Sequence, residues 1–73
     1  MAIIQSLKLD NSRSTSRQGQ TAADYNMNGD FFTIWSYKNG DVNRDGDCPQ
    51  VMQFDKNVAK VLRDALNVFL GDA

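Results

Sequence analysis

An α+β fold is predicted, in the order ββββα: an antiparallel four-stranded meander followed by one C-terminal amphipathic helix packed on it. Three observations predict it. An apolar stripe of helical period begins after Asp55, an aromatic and β-branched run spans Asp30 to Tyr37, and Asn-Gly pairs stand at 28–29 and 39–40. At 73 residues the chain is expected to form a single domain over 1–73. That is near the lower size at which one core is self-sufficient.

Ala2 to Leu9 alternates Ile3, Gln5, Leu7 and Leu9 against Ile4, Ser6 and Lys8, the period of a first strand. Residues 10–20 contain no large apolar side chain. Such a stretch cannot bury enough surface to offset the entropy of ordering, so it is expected to be a mobile polar loop. Arg13 and Arg17, set among small hydroxyl residues, suit phosphate contacts, because Arg and Ser or Thr donors reach phosphate oxygens without reading bases. A plain soluble hairpin loop is the simpler reading of the same residues.

Thr21 to Met27 puts Ala23, Tyr25 and Met27 on one face of a short strand. Asn28-Gly29 and Asn39-Gly40 are expected to be two turns of the meander, since Asn and Gly both tolerate the positive φ of a type I′ turn. Between them, Asp30 to Tyr37 lacks helical period and is rich in strand-favouring residues. Phe32, Ile34 and Ser36 point to one side and Phe31, Thr33, Trp35 and Tyr37 to the other. Bulk on both faces predicts a central strand, with one face meeting the helix and the other needing a ligand, a partner or a covering loop.

Gln50 to Phe54 is the last strand, with Val51 and Gln53 alternating against Met52 and Phe54. It leads directly into the helix over 55–70, whose apolar face is Val58, Val61, Leu62, Ala65, Leu66, Phe69 and Leu70. Asp55 is the expected N-cap, because its carboxylate accepts from first-turn amides, and Gly71 supplies the left-handed stop. The stripe is large for one helix on a small sheet. Either all of it packs on its own sheet, or part of it meets the same helix of a second copy and makes a homodimer.

Eight basic and nine acidic residues leave a formal charge of −1, without the basic surplus that marks many nucleic-acid binders. There is no histidine, and the single Cys48 excludes an internal disulfide and a cysteine-based zinc site. No apolar run is long enough for a signal peptide or a membrane span. These features predict a cytoplasmic protein with no membrane partner and no cofactor. An enzyme is not expected either: acid/base or nucleophilic work would fall to solvated carboxylates or to Cys48, which has no base beside it in sequence.

Asp41, Asn43, Asp45 and Asp47, with Gly46, match the opening of a calcium loop, where alternate oxygens converge on the ion and glycine allows the turn. The stretch looks like the loop of EF-hands and especially of dockerins. Its twelfth position is Met52, where a bidentate acid belongs, its ninth is Pro49, and no helix precedes it. An acidic connector between strands is the simpler reading.

The order strand, hairpin, aromatic strand, loop, strand, helix resembles the positive-cofactor-four type of transcriptional coactivator and its small bacterial and phage relatives, which bind single-stranded DNA. Phe32 to Tyr37 sits where that family has an aromatic-x-Ile-Arg-x-aromatic strand. Val51 to Asp55, followed by Val58, Leu62 and Leu66, sits where it has Gly-hydrophobic-x-Leu-Ser/Thr and its C-terminal helix. The likeness covers about half of the chain, and Trp35 in place of the arginine, Val51 in place of the glycine and the missing basic surplus depart from it. It implies a dimer with paired C-terminal helices, Trp35 and Tyr37 as base-stacking platforms, and Lys38 as a phosphate contact. Aromatic stacking contributes about 1–3 kcal/mol per base whatever the sequence, while cations follow the backbone; Lys8, Arg13, Arg17 and Arg44 are the candidate cations. The function expected first is a single-stranded nucleic-acid-binding module related to transcription or replication. The alternative is a small interaction protein of the kind phages and mobile elements encode, binding a host protein through the same aromatic face.

Overall fold

The computed structural model describes residues 2–72, and their order is β1 (Ala2–Ile3), β2 (Ala23–Asn28), β3 (Phe31–Ser36), β4 (Gln50–Phe54) and α1 (Lys56–Leu70). The fold is α+β, with a four-stranded sheet and one C-terminal helix. Its strand order is β1-β4-β3-β2. β2, β3 and β4 are antiparallel neighbours as expected, and the aromatic strand is interior. The first strand departs from the expected meander: β1 pairs with β4 and runs parallel to it, with Ala2 opposite Met52 and Ile3 opposite Gln53.

That parallel pairing has a topological consequence. β1 and β2 stand at opposite edges of the sheet and point the same way, so no hairpin can join them; parallel strands need a long crossover. The polar residues 4–22 make that crossing. The strand expected over Ala2 to Leu9 is therefore cut to its first two residues plus one further bond, from the Ile4 amide to the Gln53 carbonyl (2.8 Å). Beyond Ile4 the partner strand runs out, because β4 ends at Phe54 and the chain turns into the helix.

The turns also differ from type I′. In the β2–β3 hairpin Asn28 faces Phe31, so the central residues are Gly29 and Asp30. Gly29 has φ +63° and Asp30 has no positive φ, the pattern of a type II′ turn. At Asn39-Gly40 the Asp41 amide donates to the Lys38 carbonyl (2.9 Å) and only Gly40 is left-handed (φ +94°), as in a type II turn. This second turn does not join β3 to β4 directly; the chain runs on through 41–49 first. It is held instead against residues 20–22: Gly40 donates to the Gln20 carbonyl (2.6 Å), and the Thr21 hydroxyl donates to the Lys38 carbonyl (2.7 Å).

The helix forms as the sequence predicts. The Asp55 carboxylate accepts from the Val58 amide (3.0 Å). At the other end Gly71 (φ +81°) donates to Val68 and Asp72 donates to Asn67, a Schellman stop that satisfies the last carbonyls. α1 lies on the face of the sheet carrying Phe32 and Phe54, whose rings stack with centroids 5.2 Å apart; Tyr25 stacks on the other side of Phe32 at 5.4 Å. Among the described residues only Phe54 and Val58, each 6% exposed, are buried apolar residues. The core sits at the junction where β4 turns into α1.

Candidate nucleic-acid interface

Strand register divides the sheet into two faces. Tyr25, Ile34 and Met52 lie in one cross-strand row and Met27, Phe32 and Phe54 in the next, all on the inner, helix-bearing side. Asp24, Trp35 and Val51 form a row on the outer side, and Asn26, Thr33 and Gln53 form the next. The side-chain alternation expected for the aromatic strand is the one observed. Trp35 and Tyr37 share the outer face, and both are half-buried rather than enclosed.

Tyr37 lies one residue beyond β3, yet its amide still donates to the Ala22 carbonyl (3.0 Å), which keeps its side chain in the outer row. Its hydroxyl donates to Asp24 Oδ2 (3.0 Å), while Arg44 Nε donates to Asp24 Oδ1 (2.9 Å). One carboxylate thus joins an aromatic platform to a cation from the 41–47 loop. The hydrogen bond from Arg44, helped by the one from Tyr37, holds the Asp24 carboxyl below its usual range against the opposing effect of partial burial. The same bond raises the Arg44 guanidinium. Donation to Asp24 pushes the Tyr37 phenol up, with burial adding to the shift and the nearby Trp35 side chain opposing it.

The 41–47 loop is organised by Asp41. Its Oδ1 accepts from the Asp45 amide (3.0 Å) and its Oδ2 from the Gly46 amide (2.9 Å), and these amides hold its carboxyl below the usual value. Arg44, just before these two residues, adopts φ +62°, the one left-handed residue other than glycine among those described. This conformation aims Arg44 back at Asp24. Asp41 faces backbone amides, and among the described residues no three acidic or cysteine side chains converge.

The remaining predicted cations are dispersed. Lys38 is exposed and follows Tyr37 in the chain, just beyond β3. Lys8, Arg13 and Arg17 lie in the exposed crossing segment without strand or helix structure. Asp24 was not among the residues singled out from sequence. Its alternation with Tyr25 in β2 marks it as an outer-face acid, but its partners lie 13 and 20 positions away.

No protein-family model, curated protein or solved structure matches the chain. Among the described residues no helix is long and apolar enough to cross a membrane.

Proposed function

We propose that this chain is a single-stranded nucleic-acid-binding module, acting in the cytoplasm in transcription or replication, without enzymatic activity or cofactor. The observation that carries the reading is the shared outer face of Trp35 and Tyr37, turned away from the helix and left partly open. Bases stack on such aromatics with little sequence preference, and the exposed Lys38, next in the chain to Tyr37, meets the phosphates. Lys8, Arg13 and Arg17, on the long crossing segment, supply further backbone contacts. Arg44 joins them only when it leaves Asp24. A homodimer paired through the C-terminal helix is the assembly that belongs with this reading.

A second reading has its own support. Asp24 neutralises Arg44 beside the platform, and the chain as a whole carries a formal charge of −1. A weakly charged aromatic face also suits a protein partner, such as a host protein bound by a phage or mobile-element product.

The test is fluorescence anisotropy of a labelled single-stranded oligonucleotide, titrated at low and moderate salt with the natural chain and with Trp35→Ala. Binding that weakens with salt, and by a further tenfold or so on substitution of a chain that stays folded, supports the nucleic-acid reading. The factor corresponds to a stacked base at about 1–3 kcal/mol. Absence of binding at high micromolar protein overturns it in favour of the protein partner.

A further inference from the structure

Asparagine or aspartate followed by glycine or serine occurs four times in the chain, at Asn11-Ser12, Asn28-Gly29, Asn39-Gly40 and Asp45-Gly46. In such pairs the next residue's amide nitrogen can attack the side-chain carbonyl carbon, because a small residue puts little bulk beside that nitrogen and leaves the backbone free to turn. The fold treats the four amides differently.

Ser12 donates to Asp10 Oδ1 (2.9 Å), Gly40 to the Gln20 carbonyl (2.6 Å) and Gly46 to Asp41 Oδ2 (2.9 Å). Asn39 is restrained a second time: it lies so close to Gly19 that a side chain on that glycine would collide with Asn39 Oδ1. Asn28-Gly29 has neither restraint. Both residues are exposed at the tip of the β2–β3 hairpin, and nothing stands within 4 Å of where a side chain on Gly29 would begin. The Gly29 amide donates to no backbone or side-chain acceptor among the described residues.

We propose that Asn28 is a modification site, at which the folded chain deamidates without an enzyme to a mixture of aspartate and isoaspartate. The Gly29 nitrogen gives its proton to solvent base and bonds to Asn28 Cγ. The side-chain nitrogen leaves as ammonia, and a five-membered imide remains. Water then opens the ring: addition at Cγ yields aspartate, and addition at the main-chain carbonyl carbon yields isoaspartate, with the chain running through the former side chain. One water is consumed for each ammonia released, and no oxidant or metal takes part. Closing the ring requires the Asn28 backbone to rotate, which breaks only the last pair of the hairpin, Asn28 with Phe31. Such end pairs open at little cost. The same rotation at Asn39 would also break the bond from Gly40 to Gln20 and disturb the docking of Thr21 on Lys38. The product places a carboxylate in the row of Phe31 and adds one negative charge to the formal −1. None of this depends on what the outer face binds.

Incubation of the natural chain at mildly alkaline pH, in buffer and in concentrated urea, tests the site, with circular dichroism reporting the fold and tandem mass spectrometry locating the change in tryptic peptides. Cleavage after Arg13, Arg17, Lys38 and Arg44 separates the candidates, with Asn28 in residues 18–38 and Asn39 in 39–44. The expected result in buffer is a gain of one mass unit at Asn28, split chromatographically into aspartyl and isoaspartyl forms. It should run about tenfold ahead of Asn39, whose neighbouring amide must first give up its hydrogen bond. Urea removes the fold, so the two Asn-Gly pairs should then react at like rates. Asn39 or Asn11 keeping pace with Asn28 in the folded chain, an Asn28 that stays intact, or the same preference in urea would each overturn the proposal.

Discussion

Arg44 Nε lies 2.9 Å from Asp24 Oδ1, and Tyr37 donates to the other oxygen of the same carboxylate at 3.0 Å. The loop cation that could follow a nucleic-acid backbone is thus held by an acid in the same cross-strand row as Trp35. Asp24 competes with phosphate for Arg44, because both present paired acceptor oxygens to the guanidinium. Asp24→Asn keeps the shape and removes the charge. Under the nucleic-acid reading the variant should bind single strands more tightly, with a salt slope steeper by about 0.7 for the one cation released. Equal slopes and equal affinities for the two proteins would show that Arg44 plays no part in binding.

Stability should form a plateau between two pH limits. Asp24 and Asp41 are held below their ordinary value of 3.8, so the unfolded chain takes up protons first as pH falls. Their contribution is complete above pH about 4 and is lost as pH drops through their folded values. Tyr37 is raised above its ordinary 10.0. Its contribution is complete below that pH and is lost as pH rises through the folded value. Thermal midpoints measured from pH 2 to 11 should fall at both ends, and Tyr37→Phe should lessen the alkaline fall, with a smaller effect at the acid end because Asp24 loses one of its two donors.

Asp55→Ala removes the acceptor for the Val58 amide and should destabilise the chain by about 1 kcal/mol. For a chain of this size that lowers the thermal midpoint by roughly 4–8 °C. Differential scanning calorimetry gives the number directly; an unchanged midpoint would mean that water replaces the cap at no cost.

Phe54, on the sheet face that bears the helix, and Phe69, in the last turn of the helix, have opposite environments: 6% against 85% exposed. Phe54→Ala empties the junction of β4 and α1 and should cost about 3–5 kcal/mol. That is a large part of the total stability of so small a domain, about 4–11 kcal/mol. Phe69→Ala, at a position that is mostly exposed, should leave urea unfolding nearly unchanged.

Local chemistry alone determined the helix, both of its caps, the last strand and the two faces of the aromatic strand. Each depends on residues a few positions apart: the period of Val58, Leu62 and Leu66, the reach of Asp55 to the third residue on, the strict alternation from Phe31 to Tyr37. The outer placement of Trp35 and Tyr37 was legible for that reason. Tertiary structure decided the rest. β1 found the free edge of β4, about fifty residues downstream, and that choice turned an expected hairpin loop into a crossing between opposite edges. Gly29 and Gly40 took the left-handed positions alone because strand register and the docking of residues 20–22, not the Asn-Gly pair itself, set their turns. Arg44 reached Asp24 because the amides bound by Asp41 fold the loop back on itself. Contacts across such separations depend on which edges and carboxylates the folded chain leaves free, and no local period records that.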